Sequence, residues 1–153
     1  MAKTAAEQQA GALFVDTNVL VFANVAQAPV HQAALAALTT AHQAGRTLWI
    51  SRQVLREFAA VRSRPQAFAQ AALPAIIVER LRYFEANFEI ADDIAAVTDA
   101  LCTLMTEIPI GGKQVHDANI VATMIAYGIP TLLTHNARDF ERFGARIAIE
   151  ALS

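Results

Sequence analysis

A single cysteine, Cys102, excludes an internal disulfide, and the absence of any Cys/His cluster leaves no zinc site. No apolar run approaches the roughly 18 residues of a membrane span. The start, Met1 to Gly11, lacks both the basic cluster and the apolar stretch of a signal peptide. The chain therefore reads as cytoplasmic, with no membrane association. A phosphate-binding loop is missing as well. Gly111-Gly112 before Lys113 lacks the rest of that pattern, and no Ser or Thr follows the lysine, which argues against nucleoside triphosphate binding. Charge is sparse, at 17% of residues against 55% apolar, and this balance excludes disorder. At 153 residues, one domain with a substantial core is the simplest expectation.

The few charges are unevenly placed. Between Arg46 and Arg82 stand seven arginines (46, 52, 56, 62, 64, 80, 82) against Glu57 and Glu79, a local net of +5. From Glu85 to Glu107 there are six acids and no base. A charge run is usually a solvated face, yet the basic segment brackets Glu57, and positive potential there would steer phosphate towards it. Cys102, within the apolar stretch Val97 to Met105, is expected to be a buried structural thiol.

Short apolar runs alternate with helical spacing. Strands are expected at Leu13–Val15, Thr47–Ile50, Phe88–Ile90, Thr131–Thr134 and Arg146–Ile149. Helices are expected over Val30–Ala44, from Ser51 as N-cap to Arg62, and over Ala75–Ala86, Asp92–Thr106, Lys113–Tyr127 and Arg138–Phe143. Pro65 breaks the second helix, and Gly128 with Pro130 ends the fifth. Strand–helix alternation with nearly continuous apolar strands predicts a parallel sheet covered by helices on both faces, whose ligands bind beyond the carboxyl ends of the strands.

Against this background four carboxylates stand out. Asp16 ends the run Ala12-Leu13-Phe14-Val15. Glu57 lies in the stripe Val54, Glu57, Phe58, Val61, and Asp117 in Asp117, Ile120, Val121, Met124. Both stripes have the spacing of one helix face. Asp139 and Asn136 follow the Thr131–Thr134 strand. Carboxylates gathered at one sheet edge repel and take up protons unless a cation meets them. Mg²⁺ or Mn²⁺ suits such oxygen donors, using one or two carboxylates and leaving positions for substrate phosphate oxygens.

Val15-Asp16-Thr17-Asn18, Arg56-Glu57-Phe58, the run His116-Asp117-Ala118-Asn119-Ile120-Val121-Ala122, and the run Leu133-Thr134-His135-Asn136-Ala137-Arg138-Asp139-Phe140 together resemble the PIN-domain ribonucleases, and within them the toxins of VapBC-type toxin–antitoxin systems. The resemblance spans about residues 12 to 150, after an N-terminal extension of residues 1–11. It implies an α/β fold, an α/β/α sandwich around a mostly parallel sheet of about five strands. It further implies that Asp16, Glu57 and Asp117 hold Mg²⁺ or Mn²⁺, that Asp139 completes the acidic set with Asn136 as helper, and that Asn18 braces the cluster. Thr134 is a further supporting hydrogen-bond donor. Arg52, Arg56 and Lys113 are candidates for RNA-backbone contacts. The activity implied is endoribonucleolytic hydrolysis, with RNA as substrate, a small antitoxin as partner and a homodimer as assembly. The alternative is a catalytically silent PIN-like module that binds RNA or protein. The Asp16-Thr17-Asn18 start is also similar to that of haloacid-dehalogenase phosphatases, but their second Asp is replaced here by Asn18.

Overall fold

In the computed structural model, which describes Ala2, Thr4, Ala5, Glu7 and residues 11–152, the elements follow one another as strand–helix units. Strand β1 (Leu13–Val15) leads to helices α1 (Thr17–Asn24) and α2 (His31–Gln43). Next come β2 (Leu48–Ser51), α3 (Arg52–Arg62), α4 (Pro74–Asn87) and β3 (Glu89–Ala91). Helices α5 (Ala95–Glu107) and α6 (Gln114–Tyr127) then precede β4 (Thr131–Thr134), a short α7 (Ala137–Phe140), a 3₁₀ turn (Glu141–Phe143) and β5 (Ala148–Ala151). Of the expected N-terminal extension, residues 1, 3, 6, 8, 9 and 10 lie outside the described residues, as does Ser153.

The strands form one wholly parallel sheet in the order β3-β2-β1-β4-β5. Leu13, Phe14 and Val15 are buried on both faces, as a central parallel strand requires, with Leu13 opposite Leu48 on one side and Thr131 on the other. The chain winds outward from β1 to β2 and β3, then returns across the sheet to β4 and β5. Its winding thus reverses between β1 and β4, and the carboxyl ends of those two strands open on the crevice where such sheets bind ligands. The helices cover both faces, giving the α/β/α sandwich expected. Phe58 meets Phe84 edge-to-face at 4.9 Å in the core, pinning α4 to α3.

Three expectations need correction. Thr17–Asn24 is a helix that the sequence pattern did not announce. Its residues Val19, Leu20, Val21 and Ala23 are all buried, so no amphipathic stripe marks it. The last strand runs over Ala148–Ala151 rather than Arg146–Ile149, because the N–H groups of Arg146 and Ile147 are engaged by Phe143 O in the preceding turn. Cys102 is exposed, not buried: in α5 the inward face is set by Val97 and Leu104, and Cys102 lies off it. Gly128, at φ 68°, ends α6 in the left-handed conformation that favours glycine.

Candidate active site

Asp16 is the first residue past β1, and its N–H donates to Leu133 O at 3.0 Å, carrying the β1–β4 pairing one step further. The side chain is buried, 7% exposed, and N-caps α1. Its carboxylate accepts from Thr17 N–H at 2.8 Å, Thr134 Oγ1 at 2.7 Å and Asn18 Nδ2 at 3.2 Å. Asn18 Oδ1 in turn accepts the His135 N–H at 3.1 Å, tying the Asp-Thr-Asn turn to the end of β4. Burial pushes the Asp16 carboxyl above its ordinary value, the three donors pull it back, and Asp139 pushes it up further.

Glu57 and Asp117 reach the same place from two helices. Ser51 caps α3 by accepting the Val54 N–H, and Glu57 lies on that helix. Asp117 stands in the first turn of α6, where the helix dipole favours a negative charge. A polar clamp fixes the two helices against each other. Buried Gln53 donates to His116 O at 2.9 Å and accepts from Asn119 Nδ2 at 2.8 Å. Burial raises the Glu57 carboxyl; Gln53 opposes this, Asp16 adds to it, and His116 and Arg56 oppose it again. Asp117 is pushed up to about 6 by burial and then by Asp16, Asp139 and Glu57, with Arg142 acting against them.

The result is a cleft of about 350 Å³ lined by Asp16, Asn18, Glu57, Asp117 and Asn136, with Thr17, Phe22 and Phe68 among its walls. Two larger hollows, of about 420 and 480 Å³, hold no such chemistry. The first has one carboxylate, Glu150, already paired with Arg46 at 2.9 Å, and the second has none. Asp139 is exposed on α7 and does not line the cleft, although its charge acts on both Asp16 and Asp117. Thr134, wholly buried, supports Asp16 from beneath and accepts the Asn136 N–H at 3.0 Å.

The basic residues are placed differently from the carboxylates. Arg52 is engaged by Glu85 at 2.8 Å and Asp92 at 2.9 Å, and Arg56 by Asp93 at 3.3 Å. Arg52, Arg56 and Arg82 of the basic segment thus meet Glu85, Asp92 and Asp93 of the acidic segment, and Arg52 is held between two carboxylates. Lys113, exposed, lies one turn before Asp117. Three contributors escaped the sequence reading. Gln53 could have been noticed as a polar residue one turn before Glu57. Thr17 sat beside a residue already singled out. Arg142, in an irregular turn, gave no signal at all.

None of the ion pairs among the described residues involves Asp16, Glu57, Asp117 or Asp139. Nor, among those residues, does any group of three or more Asp, Glu, His or Cys side chains stand placed to hold a metal ion by itself. What the cleft carries instead is two buried oxygens without a hydrogen-bond partner, Glu57 Oε1 and Thr17 Oγ1, beside carboxyls all pushed upward. A small set of unsatisfied oxygen donors fits a hard divalent cation that retains several of its own waters.

Comparison with known proteins agrees with this layout. The family model for the PIN domain matches residues 13–146. No curated protein sequence matches the chain. Among solved structures, VapBC2 from Rickettsia felis bound to a DNA fragment from their promoter is similar at 24% identity and a TM-score of 0.65, covering 93% of this chain and 99% of that one. DNA-bound VapBC from Salmonella typhimurium is similar at 20% identity and 0.64, covering 92% and 98%. The sarcin-ricin loop cleaving toxin VapC20 from Mycobacterium tuberculosis is similar at 16% identity and 0.58, covering 78% and 86%. At these identities the likeness is one of fold.

Proposed function

This chain belongs to the PIN-domain family, and from that premise we propose that it is a Mg²⁺- or Mn²⁺-dependent endoribonuclease, the toxin of a VapBC-type module. The observation that carries the reading is the meeting of Asp16, Glu57 and Asp117 in one cleft with Glu57 Oε1 unsatisfied and, among the described residues, no ion pair to any of the three. Glu57 and Asp117 would hold the cation directly or through water, Asp16 with them, and Asp139 would add field strength from the rim. When bound, the cation would supply a more acidic water as nucleophile and offset charge on the leaving oxygen. The protein's own part is positional. Thr134 and Asn18 fix the Asp16 carboxylate, while the Gln53–Asn119 clamp holds Glu57 and Asp117 at a set separation. Lys113 and Arg142 stand beside Asp117 as phosphate contacts, with the exposed Arg56 a third; Arg52 serves instead to brace α3.

The partners belong to the same reading. VapBC complexes are among the similar structures, and helix α4 with its cap presents Leu73, Ile76, Val78 and Tyr83 to solvent, apolar surface suited to a small antitoxin or a second copy. Cytoplasmic localisation accords with the finding that, among the described residues, no helix is long and apolar enough to cross a membrane. The second reading, a silent module that binds without cutting, draws on Asn136 standing at the cleft where an acid would serve and on Asp139 remaining outside it.

RNA incubated with Mg²⁺ or Mn²⁺ is expected to be cut, and EDTA or Asp16→Asn to abolish the cutting. Cleavage that survives both places the activity elsewhere. Binding without turnover under either metal selects the silent module.

A further inference from the structure

One wall of the acidic cleft is aromatic, and the ribonuclease reading does not use it. Phe22 lies one turn beyond Asn18 on α1, so both side chains face the cleft. Phe68 comes from the other side. The chain after Pro65 folds back on itself, with paired Gln66 and Ala69 backbones (2.8 and 3.3 Å), and the resulting tight turn carries Phe68 at its tip. The Phe68 ring meets Phe22 edge-to-face at 6.0 Å, and the His135 ring also meets Phe22, at 5.2 Å and 90°.

All three rings retain exposed surface: Phe22 and Phe68 are half-buried and His135 is exposed. Amide side chains adjoin them, with Asn18, Gln66 and Asn136 on the same cleft. An apolar face bordered by amides and lying beside phosphate-directed carboxylates matches the anatomy of a nucleotide. A nucleobase has a flat π face and a polar edge, and it is joined to its own phosphate through a single sugar. A protein segment would be better served by a broader apolar surface such as α4 and its cap expose at Leu73, Ile76 and Val78.

We propose that Phe22 and Phe68, with His135 at the outer edge, form a stacking subsite for one unpaired base of the nucleic acid, adjacent to the phosphate held at the carboxylates. The subsite favours single-stranded substrate, because a paired base cannot leave its duplex stack without an energetic cost. Stacking alone tolerates any base; Asn18 is committed to Asp16 and the His135 N–H, and Gln66 Nε2 to Val61 O, so Asn136 and the Gln66 carbonyl are the groups placed to discriminate among bases. This inference rests on the ribonuclease reading.

The test places 2-aminopurine at successive positions of a short single-stranded RNA and follows its fluorescence and affinity with the intact protein in Ca²⁺, which separates binding from cutting. One position is expected to be quenched. Phe68→Leu, which keeps an apolar side chain at this half-buried turn, is expected to weaken binding about tenfold, with Phe22→Leu acting in the same sense. An abasic sugar at the quenched position should lower wild-type affinity to that of Phe68→Leu and cost the variant nothing more. Phe68→Leu should retain the rise in Tm produced by Mn²⁺.

Equal loss on intact and abasic RNA, absence of any quenched position, or loss of the Mn²⁺ response in Phe68→Leu overturns the subsite while leaving ribonuclease activity intact. Unchanged RNA affinity with loss of a co-purifying protein assigns the wall to that protein instead. If wild-type protein neither binds nor cuts RNA, the ribonuclease reading itself fails, and the subsite with it.

Discussion

Thr134 Oγ1 donates a 2.7 Å hydrogen bond to Asp16 Oδ2 across 118 positions of sequence, joining the carboxyl ends of β1 and β4 in the sheet's interior. The same oxygen accepts the Asn136 N–H at 3.0 Å, so one buried hydroxyl sets both the carboxylate and the loop that follows β4. Thr134→Val keeps the shape and removes both functions. It leaves a buried carboxylate short of its nearest donor and strands a backbone N–H, a loss of about 1–3 kcal/mol in urea unfolding. Thr134→Ser should restore most of it. Stability unchanged in the valine variant would show that the hydroxyl is no brace.

Asp117 offers a separate test of the cation site. Three other carboxylates act on it, and the Arg142 charge opposes them. Without metal, Asp117→Asn relieves that repulsion and should raise Tm; with Mn²⁺ or Mg²⁺ the ordering should reverse, because the variant gains less from the ion. A lower Tm for the variant in EDTA would mean that Asp117 is an ordinary structural partner.

The same residue fixes the sign of a pH effect. Its carboxyl is raised from the ordinary 3.8 to about 6 in the folded protein, so the folded state binds the extra proton between those values. The stabilising contribution is therefore present below about pH 4 and lost as pH rises through about 6, in metal-free protein. Asp117 is half-exposed, and solvent screening holds its own share to about 1 kcal/mol. Wild type and Asp117→Asn should thus be closest in stability in acid and diverge towards neutral pH. Taking the difference between them removes the opposite contribution of Glu85, whose carboxyl is lowered by Arg52 and Arg82. A gap that is constant with pH would count against the repulsion.

The sequence revealed the carboxylates because each interrupts an apolar pattern. Asp16 ends a buried strand, and Glu57 and Asp117 break helix stripes, so burial itself made them conspicuous. The parallel sheet followed from the βα alternation, and the expectation that distant acids meet at its carboxyl edge followed from that; the strand order β3-β2-β1-β4-β5 came only from the structure. Residues that act through one another left no such trace. Gln53 and Asn119 matter only as a pair 66 positions apart, and Phe22 and Phe68 become a wall only when the Gln66–Ala69 turn closes. Arg52 departs from its expected role for the converse reason. A local excess of positive charge looks like a phosphate surface until Glu85 and Asp92, 33 and 40 positions further on, fold beside that one guanidinium.

That reassignment yields a prediction with opposite outcomes for neighbouring cations. Arg52 is split between Glu85 and Asp92 with its side chain 40% exposed. Arg52→Ala should therefore cost at most about 1 kcal/mol of stability and leave RNA affinity and its salt dependence unchanged. Lys113→Ala and Arg142→Ala remove charges beside Asp117 that no carboxylate engages in an ion pair among the described residues. Each should weaken RNA binding and reduce the slope of log affinity against log salt by about 1, the mark of one lost phosphate contact. A reduced slope in Arg52→Ala would mean that RNA displaces Glu85 and Asp92 from the guanidinium, which would make those ion pairs a cover over the binding surface rather than a brace.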